Sequence, residues 1–310
     1  MSSEAFAVGG EDGGRGRLVV ELSSRAGDGS PRKPGAPAAE ATAEDLFLEA
    51  ELFSGVVRGA ASSCGFGHVT LTARATTPHP DFARIFEAAG VAGLTTDLAL
   101  DGEQFEAFWP AVAPRRETLT RVTFRLGGAD AESHDGLCGA GSFNRLVRAF
   151  TRCRAAGLPF GFDFEAATDS LPRLEQVALF AARLGAAGLV VRHAPAPGEE
   201  TDGRVADEVA ALARVLRMPV VLAPCCTDAG CRGGLETTGR LIGRIDSRGR
   251  LSLPLPPSCV GAGAAGGHSA DLAAEEFAAA FERLRGLAGA RAGRAASPAG
   301  PAGAGRGRGY

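Results

Sequence analysis

Residues 119–143 read LTRVTFRLGGADAESHDGLCGAGSF. Leu119–Leu126 alternates apolar and polar side chains through its middle, the two-residue period of a strand with unlike faces. A glycine pair follows, and from Ser142, placed as N-cap, a helical pattern runs to Ala156 with Gly157 just beyond it. Next come an apolar run at 159–164, a helical stretch at 171–184 closed by Gly185, and a third apolar run at 188–191. This succession forms βαβ units, which demand a parallel sheet covered by helices.

The alternation continues outward in both directions. Upstream, the pattern predicts a strand over Leu18–Leu22, a helix over 43–60 capped by Thr42, a strand over 68–72, a helix over 81–89, a strand over 93–98 and a helix over 103–112. Downstream, it predicts a helix over 202–216 and a strand over 219–222. An amphipathic helix over 272–288 then gathers Phe277, Phe281, Leu284 and Leu287 on one face. The expected architecture is α/β, a partial (β/α) TIM-type barrel with a small, irregular, Cys-containing C-terminal extension. Chemistry in such a barrel sits at the C-terminal strand ends, here the loops after Leu22, Thr72, Leu98, Leu126, Phe164, Val191 and Leu222. The expected division is a flexible leader at 1–15, a barrel at 16–224, the extension with its helix at 225–291 and a disordered tail at 292–310. No Gly-x-Gly-x-x-Gly turn follows the first strand, which speaks against a dinucleotide fold.

Composition narrows the classes further. The chain has 310 residues, 45% hydrophobic and 22% charged, enough to bury a substantial core. Its net charge of −3 gives no bulk attraction to nucleic acid. No uninterrupted apolar run reaches membrane-spanning length, and the acidic N-terminus lacks the apolar core of a signal peptide, so a cytoplasmic, membrane-free protein is expected. Seven cysteines without a secretion signal read as thiols or metal ligands rather than a disulfide framework.

The segment quoted first resembles the middle of radical SAM enzymes of the peptide-maturase type, which often carry a SPASM or twitch extension. Their fourth strand reads "vtiSLDGad" and is followed by "HDxLRGxGSF"; His134, Asp135, Leu137, Gly139, Gly141, Ser142 and Phe143 stand at the matching places. The runs RAAGLPFGFDF (154–164) and LEQVALFAARLGAAGLVV (174–191) resemble the family's next strand, helix and strand, and the likeness extends over about Arg17 to Leu222. It implies a 4Fe–4S cluster, held by Cys-x3-Cys-x2-Cys after the first strand, and S-adenosylmethionine (SAM) on its open iron.

The motifs that would do this chemistry are altered. Ser23-Ser24-Arg25 is similar to the family's lead-in, but the three cysteine positions hold Ala26, Ser30 and Lys33. The Gly-Gly-Glu-Pro that binds the SAM amino group is replaced by Ala73, Arg74, Ala75 and Thr76, between flanks that match. The third-strand Thr-Asn-Gly becomes Thr96-Asp97-Leu98; Arg125 and Gly127 replace the Ser and Asp of the fourth strand, and Cys138 the following Arg. Lys33, Arg74 and Arg125 are therefore candidates for a cationic mouth that could take a phosphate or an acidic peptide. Residues 245–254 resemble the hairpin of a twitch or SPASM extension, with Pro254 at its cysteine position. Cys225, Cys226, Cys231 and Cys259 could hold zinc, although their spacing lacks paired Cys-x2-Cys knuckles, and packed thiols are the simpler reading. The pair His134-Asp135 reads as turn and capping structure rather than an acid–base dyad.

Three functions follow. The first is a barrel that has lost cluster and SAM contacts and binds a precursor peptide or an active radical SAM paralogue. The second is an enzyme with repurposed chemistry at the cationic mouth. The third is a radical SAM enzyme with unrecognised ligands. No cofactor is expected under the first.

Overall fold

Alternate residues of each long strand meet different surroundings, and this builds the molecule. On β1 (Gly16–Glu21), Leu18 and Val20 are fully buried while Arg17 and Val19 are partly exposed. Similar two-residue rhythms run through β4 (Phe66–Thr72), β5 (Thr95–Leu100), β6 (Leu119–Leu126), β7 (Phe160–Ala166) and β8 (Leu189–His193). These strands and β9 (Val220–Ala223) lie parallel in the order β1-β4-β5-β6-β7-β8-β9. The structure, a computed structural model, describes residues 16–25, 45–75, 77–166, 171–193, 203–223, 242–253 and 269–295.

The apolar face of the sheet is covered by α1 (Ala50–Ser63), α2 (Phe82–Val91), α3 (Gly102–Val112), α5 (Ser142–Ala155) and α6 (Leu174–Arg183), whose buried side chains join those of the strands in one core. Aromatic rings lock it: Phe82 meets Phe108 edge-on at 4.4 Å, and Phe105 meets Phe124 of β6 at 5.3 Å. Burial of one such ring contributes about 2–3 kcal/mol. The sheet is mostly parallel and is not closed, a TIM-like partial barrel as the alternation predicts. The polar residues of the strands occupy its other, inner face.

Several local expectations are corrected. Asp45–Phe47 is not helical: it forms a strand, β3, antiparallel to β2 (Ser23–Arg25), and α1 begins only after Glu49. The backbone there is used for cross-strand hydrogen bonds and cannot serve a helix. Gly141, not Ser142, is the N-cap of α5, because the turn needs a left-handed residue (φ 74°) that glycine adopts without strain. A short helix, α4 (Ala131–Cys138), occupies the stretch read as a turn. The region 225–268, read as irregular, contributes β10 (Ile242–Ile245), parallel to β1, and β11 (Arg250–Ser252), antiparallel to β10. This is a hairpin, as the resemblance implied, but it extends the main sheet together with β12 (Ser269–Asp271). The last helix, α8, spans Phe277–Ala295, entering the segment expected to be disordered; Phe277 and Phe281 pack edge-on against Phe66. The helix α7 (Gly203–Val215) is close to its expected span.

Candidate functional site

The strand ends named by sequence converge on one rim. After β4 the chain passes through Ala73, Arg74 and Ala75, and Gln104 of α3 holds this loop. Its side-chain amide donates to the carbonyls of both Ala73 and Ala75 at 3.0 Å, while Asp101 and Gln104 form a reciprocal capping box. The Arg74 amide donates to the carbonyl of Ser23 at 2.9 Å, tying this loop to the end of β1. His79 lies 2.7 Å from the Leu48 carbonyl through Nε2 and accepts from the Asp81 amide through Nδ1.

The loop after β6 is organised by the pair His134-Asp135, which has the turn-and-capping role expected of it. The Gly127 amide donates to His134 Nδ1 at 3.1 Å, and burial holds the imidazole below its ordinary pKa. Asp135 accepts from the amides of Gly141 and Phe143 and from Ser142 Oγ, anchoring the start of α5; these bonds lower its pKa. A Cβ at Gly128 would fall 2.0 Å from Ser133 Oγ, so the close approach of α4 to this turn requires glycine.

Of the three predicted cations, Arg74 reaches Glu21 at 3.1 Å and Arg125 faces Glu165 at 3.8 Å. Both arginines thus face a carboxylate, Glu21 being shared with Arg244. Lys33, Ala26, Ser30, Thr76 and all four late cysteines lie outside the described residues. Asp97 is misplaced by the third-strand comparison: β5 runs on to Leu100, so Asp97 lies near the beginning of the strand, opposite Thr70 and Arg121, not at the rim.

That same Asp97 is the centre of a cluster the motifs did not reveal. Its carboxylate meets Arg121, Arg17 at 3.2 Å and His68 at 3.1 Å, and the Asp97 side chain is 3% exposed. Burial opposes its charge, yet the His68 hydrogen bond and the two guanidiniums hold its pKa below the ordinary value. Nearer the rim, Glu21 lies between Arg74 and Arg244, and burial keeps its pKa raised despite both. Across β7 and β8, Arg192 binds Asp163 at 2.7 Å; burial still raises the Asp163 pKa. The sequence marks these residues only as the polar half of a strand's alternation, as in Arg121-x-Thr123-x-Arg125 and Asp163-x-Glu165, and does not say which of them meet.

The groups implied by the resemblance can be tested against these donors. A 4Fe–4S cluster needs thiolates, and residues 16–44 contain no cysteine. Among the described cysteines, Cys138 lies at the rim, beside Gly127 at the end of β6; Cys64 follows the far end of α1, and Cys153 is buried with its thiol pushed up to about 12. These donors do not fit the cluster. For a SAM ammonium, the altered loop offers no carboxylate: Arg74 opposes the charge, and the Ala73 and Ala75 carbonyls already accept from Gln104. No group of metal-ligating side chains occurs among the described residues, and no described helix is long and apolar enough to cross a membrane.

No protein-family model matches this sequence, and no curated protein is detectably similar to it. Solved structures are similar in fold. Streptococcus suis SuiB bound to S-adenosylmethionine superposes with a TM-score of 0.61 at 14% identity, over 89% of this chain and 68% of SuiB. SuiB bound to its precursor peptide SuiA gives 0.62 at 12% identity, over 88% and 66%. The fold is therefore radical SAM-like, and the chain spans about two thirds of SuiB's length.

Proposed function

We propose that this chain is a radical SAM-type barrel that builds no cluster and serves as a non-catalytic binding protein in peptide or natural-product maturation, taking a precursor peptide on its inner face. The observation that carries the reading is in the sequence: Ala26, Ser30 and Lys33 occupy the positions where the resemblance requires thiolates, and Arg74 replaces a glycine of the SAM-binding motif. Alanine has no donor atom, and an ammonium repels a metal cation. Gln104, His134 and Asp135 hold the rim loops in place through their own hydrogen bonds. A fold shared with a protein solved with its precursor peptide supports the choice of ligand.

Anaerobic reconstitution followed by iron and sulfide analysis, Mössbauer spectroscopy and a 5′-deoxyadenosine assay tests the reading. The expected result is no cluster at the first-strand loop and no deoxyadenosine above that of a cysteine-free variant. Stoichiometric cluster with SAM cleavage would overturn it. The triple variant Ala26→Cys, Ser30→Cys, Lys33→Cys should acquire iron while cleaving SAM poorly, because Arg74 remains. Co-purification with an intact radical SAM paralogue, without affinity for peptide, would transfer the binding role to that partner.

A further inference from the structure

The two oxygens of the buried Asp97 carboxylate are used very unequally. Oδ2 meets Arg121, Arg17 at 3.2 Å and His68 at 3.1 Å. Oδ1 is shut off from solvent and has no hydrogen-bond partner among the described residues. The oxygens of a carboxylate diverge, so Oδ1 faces away from the groups that hold Oδ2. With its pKa below the ordinary value, Asp97 is ionised at neutral pH and can only accept. A buried acceptor of that charge is costly to leave without a donor, and protein interiors supply one.

Strand register brings a second such atom beside it. Thr70 of β4 lies directly opposite Asp97 of β5, and parallel neighbours in register present their side chains on the same face. Thr70 Oγ1 is likewise shut off from solvent and without a hydrogen-bond partner among the described residues, so the two oxygens are not bonded to each other. Adjacent strands lie about 4.8 Å apart, which puts both oxygens within reach of one small molecule between them. Their chemistry suits an intermediary: the carboxylate oxygen accepts, and the hydroxyl both donates and accepts. Val19 of β1, opposite Thr70, offers no polar side chain in its place. Thr72 and Ala99, the next residues toward the rim on the same face, are small and only partly buried. Neither strand therefore sets a large side chain between this spot and the rim.

We propose that the inner face holds an ordered internal water between β4 and β5, donating to Asp97 Oδ1 and hydrogen-bonded to Thr70 Oγ1. Charge selects the ligand. Arg17, Arg121 and His68 already face Asp97, so a metal or ammonium ion would be repelled, and an anion would meet the carboxylate itself. A neutral molecule that donates and accepts is what remains. A buried water takes two to four polar partners, and these two sit on paired strands that fix their positions. The proposal gives the Thr70 hydroxyl a task that strand formation alone does not, since valine suits a strand equally well. It is independent of whether the rim binds a cluster or a peptide.

The test uses the full-length protein. A crystal structure should show a water within about 2.6–3.2 Å of both Asp97 Oδ1 and Thr70 Oγ1. In solution, oxygen-17 relaxation dispersion counts long-lived internal waters. Thr70→Val, which keeps the shape of the side chain and removes its hydroxyl, should remove a single water from that count, and Thr70→Ser should leave the count unchanged. If Thr70→Val does not fold, the crystal structure of the unaltered protein decides alone. A direct Thr70–Asp97 hydrogen bond, another side chain on Oδ1, an ion in place of the water, or no density between the two oxygens would each overturn the inference. So would a folded Thr70→Val variant with the parent's count.

Discussion

Two buried carboxylates on the same sheet face, each set against two arginines, titrate in opposite directions. Asp97 is held below its ordinary pKa and Glu21 above it. Burial penalises both charges: their side chains are 3% and 9% exposed. The difference lies in what offsets the burial. Asp97 has Arg121, Arg17 and a His68 hydrogen bond on one oxygen. Glu21 is contacted by Arg74 at 3.1 Å and Arg244 at 3.6 Å, with Asp246 nearby adding like charge. Near the strand beginnings three partners outweigh the burial of Asp97; at the rim burial outweighs the two arginines around Glu21. The comparison teaches that the same residue types on one sheet face meet opposite balances of burial and pairing at its two ends.

The largest effect is expected from breaking the Asp97 cluster. Asp97→Ala leaves Arg17 and Arg121 facing each other beside His68, and removing one partner of a buried ion cluster costs about 3–5 kcal/mol. Urea unfolding should show the loss in the midpoint, with little change in slope. A loss under about 1 kcal/mol would mean that the cluster is solvated and the contrast with Glu21 is false.

Next in size is the rim loop. Gln104→Leu deprives two loop carbonyls of their donor and dismantles a capping box, a loss of about 2 kcal/mol. Hydrogen exchange should quicken at residues 73–75 and at the start of α3 while the Asp97 cluster stays protected. Uniform loss of protection would show that the rim and this cluster are not separable.

How much of this was legible in sequence follows the same division. Apolar periodicity located the parallel strands to within about two residues, because burial of Leu18, Val69, Val122 and Phe162 enforces it. The capping role of His134-Asp135 at the rim was legible, since its geometry is local. The ionic clusters were not. Arg17, His68, Asp97 and Arg121 are distant in sequence and meet only through strand register, which no local motif encodes. The late strands β10 and β11 were obscured for the same reason: what stabilises them is pairing to β1 and to each other, not an apolar run of their own.

The pH dependence gives a smaller but more discriminating measurement. A lowered Asp97 pKa contributes stability above the ordinary value of 3.8, and that contribution is lost as pH falls through the folded-state value. A raised Glu21 pKa works the other way: its contribution is complete below 4.5 and lost as pH rises through the folded-state value. Asp97→Asn should therefore be less stable than the parent at neutral pH and converge with it in acid. Glu21→Gln should be at least as stable as the parent at neutral pH and converge likewise. Two variants that both lose stability at neutral pH would erase the distinction between the two ends of the sheet.

The smallest effect is expected at Arg125. Its pair with Glu165 is long and both side chains are more than half exposed, so Arg125→Ala should change unfolding free energy by less than about 0.5 kcal/mol. The same substitution removes an exposed cation from the inner face proposed to take the precursor peptide. A residue that matters to binding but not to folding is what the rim should supply if stability has been placed at the other end. Unfolding and peptide binding measured on the one variant decide this together. A large loss of stability would show that Arg125 serves the sheet itself, and the charge on the inner face would then be structural throughout.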